Sequence, residues 1–180
     1  RYAMEQLLKT ILKQIEKKPF SYQTYFDLYG MSKEAMKDEK TQQLGIDYLK
    51  TLSSLCEKAI RDTKLSDDDV RDIFALHKRV CLALAPYDFD SYLLYVEWNR
   101  PPDKKFYPPR RRVLKQVVDC LQELADDKLD LLSISLPPGS GKTTLAIFFL
   151  TWLAGKIPNE PMLTGSHSNS FVRGVYDEVL

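Results

Sequence analysis

The residues best equipped for chemistry form one run, Pro137-Pro138-Gly139-Ser140-Gly141-Lys142-Thr143-Thr144. Gly-Ser-Gly-Lys-Thr-Thr between a strand and a helix is the pattern of a loop that wraps a polyphosphate. Glycines at 139 and 141 permit positive φ and let the backbone approach a ligand with no Cβ in the way. Beyond Pro138, at the entrance of the loop, the N–H groups of Gly139, Ser140, Gly141, Lys142, Thr143 and Thr144 can converge on phosphate oxygens. The following helix N-terminus adds positive potential. Lys142 is the candidate catalytic residue, reaching the β and γ phosphates of ATP and stabilising charge during phosphoryl transfer. Thr143 offers a hydroxyl to Mg²⁺, and Thr144 is placed for the α-phosphate. The general pattern has a further glycine at the position of Leu136; here Pro137-Pro138 is expected to impose the bend at negative φ.

This loop requires a strand before it and a helix after it. Leu129–Leu136 is a short, mostly apolar run of the kind found in buried parallel strands. Lys142 to about Ala154 reads as a helix ended by Gly155, Pro161–Gly165 as a second strand, and Ser168–Leu180 as another helix. That order predicts the start of an α/β layer domain. Hydrolysis also needs an acid at the end of another strand. Val175-Tyr176-Asp177-Glu178 is the only candidate after the loop, and Phe171, Val172, Val175 and Val179 fit one helix face instead, which leaves Asp177 and Glu178 solvated. The expectation is a chain that stops before its catalytic acid and that, beginning without Met, has either lost upstream residues or carries foreign residues at its start.

Residues 1–98 read as helices only. Leu8, Ile11, Leu12 and Ile15 recur at helical spacing until Lys18-Pro19. An aromatic segment, Tyr22–Tyr29, is expected to end at Gly30. A longer helix spans about Thr41–Arg61, with Tyr48, Leu52, Leu55, Cys56 and Ile60 on its apolar face. Ser66 followed by Asp67, Asp68 and Asp69 marks a capped helix start, and Val70, Ile73, Phe74, His77, Cys81 and Leu84 form its expected inner face. A last aromatic helix covers about Phe89–Trp98. The tyrosines and phenylalanines fall at helical spacing, which favours core packing over a base-stacking platform. His77 has no second His or Cys at ligand spacing and reads as a packed histidine. Four prolines between Arg100 and Pro109 break the chain and set the expected boundary. A basic helix then opens at Arg110-Arg111-Arg112 and runs to about Ala125.

Composition bounds the rest. The chain has 180 residues, 44% hydrophobic and 28% charged, which excludes a disordered or collagen-like chain. A net charge of +1 gives no global pull toward nucleic acid or membrane, so any basic surface is local. The longest apolar stretch, Leu145–Leu153, falls far short of the roughly 20 residues of a membrane span, and no secretory signal opens the chain. Cys56, Cys81 and Cys120 are odd in number and far apart, so they read as buried thiols of a cytosolic protein.

Ile134–Ser168 resembles the phage terminase large subunit, the ATP-driven motor that packages viral DNA. The resemblance rests on the Pro-Pro-x-x-Gly-Lys-Thr loop without a first glycine, Trp152 in the next helix, Gly155-Lys156-Ile157-Pro158, and Gly165-Ser166-His167-Ser168. It extends over about residues 86–180; residues 1–85 carry no motif of that family. With the helical reading of the first half and the proline break, the expected organisation is an all-helical N-terminal domain (1–99) followed by the first part of a P-loop ATPase α/β domain (100–180), truncated before its acidic strand. The resemblance further implies ATP hydrolysis coupled to translocation of double-stranded DNA into the procapsid, in the cytoplasm of an infected bacterial host. The implied partners are a small subunit, a portal protein and other copies in a homo-oligomeric ring, with no membrane. A metal-dependent nuclease domain would lie beyond residue 180, and the fragment alone is expected to be inactive. Gly139 stands where many members carry Arg, which leaves a neighbouring subunit as the alternative source of an arginine finger. An adenine-contacting segment is implied upstream, where Phe106, Tyr107 and Arg110 to Arg112 lie; the alternatives are a solvated basic helix start or contacts to DNA phosphates. Ser166-His167-Ser168 is either a polar loop or a contact to DNA or a neighbouring subunit.

Two rival readings stand beside this one. A helicase or AAA-type ATPase uses a similar loop, usually with the glycine that Leu136 replaces. A non-catalytic helical docking module for a packaging partner would bind nucleotide weakly or not at all.

Overall fold

The computed structural model describes residues 2–18, 21–62, 64–165 and 173. Its elements are α1 (Tyr2–Lys17), α2 (Tyr22–Ala35), α3 (Gln42–Ile60), α4 (Asp67–Leu84), α5 (Phe89–Val96), a 3₁₀ turn (Pro102–Lys104), α6 (Tyr107–Ala125) and α7 (Lys142–Lys156). The chain divides into two compact units after Tyr87, ahead of the expected boundary at residue 100. The reason is packing: α5 buries Phe89 and Leu93 with residues of α6 and α7, and the Phe89 N–H donates to Gln122 Oε1 of α6 at 2.8 Å.

The first unit is a helical bundle. Leu8, Ile11 and Ile15 of α1, Leu28 of α2, Leu49, Leu52 and Cys56 of α3, and Ile73, Leu76, Val80 and Leu84 of α4 share its core. α2 continues through Gly30 to Ala35, because Ser32 and Ala35 are buried in the next turn. Burial there outweighs the roughly 1 kcal/mol that glycine costs a helix interior. Ser66 caps α4 as its sequence announces, accepting the Asp69 N–H at 3.2 Å. The inner face of α4 is rotated from the expected one: Leu76 and Val80 are buried, whereas Phe74 is 47% exposed. His77 is a packed histidine, its Nε2 at 3.0 Å from Ser53 Oγ.

α2 and α3 approach closely at Gly45, where an added Cβ would lie 2.5 Å from the Ser32 carbonyl oxygen and 2.6 Å from Met36 Cγ. Cys56 and Cys81 are buried and Cys120 is partly buried. Burial, with the Glu57 carboxylate nearby, pushes the Cys56 thiol up to about 12.

The second unit departs from the expected fold. It was expected to begin an α/β domain, yet the described residues form helices and no strand. Among the described residues the run 129–136 has no strand partner, and neither has 161–165. A strand exists only through ladder bonds to a neighbour, and an apolar run does not supply one. Leu132 and Leu136 still pack against the core, while Leu131 between them is 84% exposed. α6 begins at Tyr107, ahead of the expected Arg110, because Pro108 and Pro109 occupy its first turn, where a missing N–H breaks no intrahelical bond. Its C-terminus closes through Asp127 at φ 55, with Lys128 N–H bonded to Glu123 O at 2.9 Å and Asp127 N–H to Leu124 O at 3.2 Å, the pattern of a left-handed cap. The helix expected over Ser168–Leu180, with Asp177 and Glu178, lies outside the described residues except for Arg173, which is helical. No described helix is long and apolar enough to cross a membrane.

Gly45→Ala is expected to lower stability by about 1 kcal/mol or more, since the overpacking cost against backbone exceeds the gain in helix propensity. Thermal melting followed by far-ultraviolet circular dichroism measures it. Cys56 is expected to resist alkylation at pH 8 until the chain unfolds, with Cys120 labelled first; peptide mapping of the labelled protein reads the order.

Candidate phosphate-binding loop

The site is built from α5 outward. Glu97 follows α5 directly and is fully buried. Its Oε1 accepts the Phe106 N–H at 2.8 Å and its Oε2 accepts the Tyr107 N–H at 2.7 Å. Arg100 Nη1 completes the set at 3.1 Å from Oε1. A helix start presents N–H groups without intrahelical partners, so a carboxylate there is favoured by both hydrogen bonding and the helix dipole. Asp90, in the first turn of α5, holds the same region from the side. It accepts the Tyr107 hydroxyl hydrogen bond and takes a fork from Arg111, with Nε at 3.0 Å and Nη2 at 2.7 Å. Burial, reinforced by the Asp90 charge, pushes the Tyr107 hydroxyl far above the ordinary tyrosine range, so it remains a neutral donor.

The first turn of α6 thereby fixes Phe106. Its ring stacks near Phe148 of α7, with centroids 6.1 Å apart and planes at 20°, and Arg110 lies 5.3 Å over it. The ring also presses on Gly141: an added Cβ at that glycine would collide with the Phe106 ring, its Cζ at 2.7 Å. Gly141 is the N-cap of α7, in the left-handed region at φ 90 and ψ 22. Gly139 is left-handed as well, at φ 76, and space around its absent Cβ is open. Both glycines are thus required by backbone conformation, and Gly141 also by contact.

The remaining loop contacts close the turn. Ser140 N–H bonds to Pro137 O at 3.3 Å, and Leu145 N–H to Gly141 O at 2.9 Å makes the first helical bond. Lys142 folds back so that its ammonium donates to the Leu136 carbonyl. The N–H groups of Lys142, Thr143 and Thr144 are the first three of α7, and no side chain caps them. Thr143 and Thr144 are exposed. Ser140 Oγ is buried, with no hydrogen-bond partner among the described residues.

Gly139, Ser140, Gly141, Lys142, Thr143 and Thr144 therefore fall in a single turn at one helix start, with Pro138 at its entrance. These residues fit a nucleoside triphosphate: two glycines without Cβ obstruction, uncapped donors, an orphaned hydroxyl and an ammonium at the loop mouth. Among the described residues no cluster of three His, Cys, Asp or Glu can hold a metal; within the loop the exposed Thr143 hydroxyl is the group that would hold Mg²⁺. Of the segment tied to adenine, Phe106 is engaged by Gly141, Phe148 and Arg110, Tyr107 is buried, and Arg111 is bound to Asp90. Arg112 is exposed. Ser166, His167 and Ser168 lie outside the described residues. Sequence reading missed Glu97 and Asp90; the available signal was two acids within an otherwise aromatic helical segment, too apolar a setting for solvated charges. No family model, curated protein or solved structure matches the chain.

Asp90→Ala is expected to destabilise the second unit by roughly 2–3 kcal/mol, because it strands the buried Tyr107 hydroxyl and a partly screened Arg111. Both tryptophans, Trp98 and Trp152, belong to this unit, so urea unfolding followed by tryptophan fluorescence reports it directly.

Proposed function

We propose that the loop at 138–144 binds the triphosphate of ATP with Mg²⁺, and that the chain supplies the nucleotide-binding part of a DNA-packaging motor of the terminase large-subunit type. The single observation that carries the first half is the paired left-handed glycines, 139 and 141, immediately before an uncapped helix start. Backbone donors at such a junction favour anions. Lys142 would leave the Leu136 carbonyl for the β and γ phosphates and stabilise charge on the transferring group. Thr143 would hold Mg²⁺, which when bound neutralises the β and γ oxygens. The second half rests on the Pro-Pro loop, Trp152 and the Gly155–Pro158 turn. On this reading the intact motor is an ATPase that moves double-stranded DNA in the bacterial cytoplasm, as a ring of copies on a portal with a small subunit.

The docking-module reading is favoured by one finding, the unpaired run 129–136 ahead of the loop. Calorimetry of the chain with ATP and Mg²⁺ separates the two. Micromolar binding is expected, weakened about ten- to a hundredfold in Lys142→Ala by loss of charge-assisted hydrogen bonds. Thr143→Ala is expected to weaken binding with Mg²⁺ and leave binding in a chelator unchanged. No heat of binding in the unmodified chain would favour docking.

A further inference from the structure

We propose that Glu97 is a positioning residue for the phosphate-binding loop, acting through Phe106. The inference rests on the reading of 138–144 as that loop, but its structural half can be tested without nucleotide.

Three observations carry it. Glu97 is fully buried, and a buried carboxylate is retained at high desolvation cost unless its lone pairs are used. Both oxygens are used on adjacent backbone N–H groups, those of Phe106 and Tyr107, so Glu97 sets the backbone position from which the Phe106 side chain projects. The Phe106 ring then occupies the space that a Cβ of residue 141 would need. The ring is a shape constraint on the residue whose left-handed conformation starts α7 and aims the N–H groups of Lys142, Thr143 and Thr144. Its other neighbours prevent it from swinging aside, since Phe148 stacks near it and Arg110 lies over it. The path from carboxylate to loop is two hydrogen bonds and one packed ring.

Glu97 touches no phosphate in this arrangement. A Gln at 97 keeps the shape and one carbonyl oxygen but turns an NH₂ toward one of the two backbone donors. One N–H is left unmet, the start of α6 shifts, and the ring moves with it. Phe106→Leu tests the second step alone: it retains the Glu97 bonds to the backbone and removes the ring from Gly141.

The experiment records ¹⁵N–¹H spectra of the full chain and its Glu97→Gln and Phe106→Leu variants, followed by titration of each with ATP and Mg²⁺. Both variants are expected to shift the Gly139 and Gly141 amide resonances while those of Gly30 and Gly45 stay in place, and to weaken ATP binding by about tenfold or more. A merely structural role would lower unfolding stability and leave affinity and the backbone angles of the loop unchanged. Because loss of the Phe106 ring current alone moves nearby amide resonances, the three-bond HN–Hα couplings of Gly139 and Gly141 report the turn in Phe106→Leu; unchanged couplings there, or unchanged affinity in both variants, would overturn the proposal. If Glu97→Gln fails to fold, Glu97→Asp, which keeps the charge and withdraws the carboxylate from the Phe106 and Tyr107 N–H groups by one methylene, decides on the same two readouts. If the unmodified chain does not bind ATP, the phosphate-loop reading fails, and the loop couplings still decide whether Glu97 and Phe106 set the turn.

Discussion

A buried carboxylate meeting a helix start is the interaction on which the second unit depends. Glu97 has no access to solvent, and an ionised carboxylate in that setting is tolerable only when it is fully hydrogen-bonded. The start of α6 is the complementary problem, N–H groups without helical acceptors. Each solves the other. Asp90 adds a lateral restraint through Tyr107 and the Arg111 fork. The side chain launched from this fixed turn is Phe106, and its ring stands against the one glycine that starts α7.

The loop is consequently held from both ends. α7 is anchored below by Leu145, Phe149 and Trp152 in the core, with Phe89 packed on Phe149 and Trp152 at centroid distances of 5.2 and 5.1 Å. Its last turn is tied to the end of α6 by Lys156, 3.3 Å from Asp126 and 4.9 Å over Trp152. The upstream arm of the loop is held through Leu136, whose side chain packs on the core and whose carbonyl takes the Lys142 ammonium. Among the described residues no strand leads into this turn; packed side chains and one lysine hold it.

What could be read from the sequence follows from range. The Ser66 cap, the Leu8–Ile11–Ile15 stripe and the α3 segment depend on residues within a turn or two of one another, and all three appear where spacing puts them. The glycines at 139 and 141 were legible for the same reason, since tolerance of positive φ is a property of the residue itself and the turn residues around them ask for it. Gly30 and Pro108-Pro109 misled because position overrides type: a glycine flanked by buried turns stays helical, and a proline pair in a first turn starts a helix rather than breaking one. The roles of Glu97 and Asp90 were not legible, because the groups they fix at the start of α6 lie 9 to 21 residues away; the apolar setting marks both acids as unlike solvated charges but does not name those partners.

The expected strands failed for a related reason. Leu129–Leu136 is short and mostly apolar, as a buried parallel strand is, yet only Leu132 and Leu136 pack on the core, while Leu131 and Ile134 are exposed. An apolar run states that a segment can be covered and carries no information about a hydrogen-bonding neighbour. The structure lays two leucines against helices while the run pairs with no strand among the described residues. A cleft of about 300 Å³ between Leu121, Ile134, Leu136, Leu145, Phe149 and Leu150 follows from this, since a single extended segment covers the flank of α7 only in part. α7 is apolar around most of its circumference, and such a helix is ordinarily covered on all sides. Its N-terminal turn is nevertheless fully specified, because the contacts that set it come from α6 and from its own buried face. The shape of the loop and the covering of α7 are therefore separate physical questions, and the residues that answer the first are Glu97, Phe106 and Gly141.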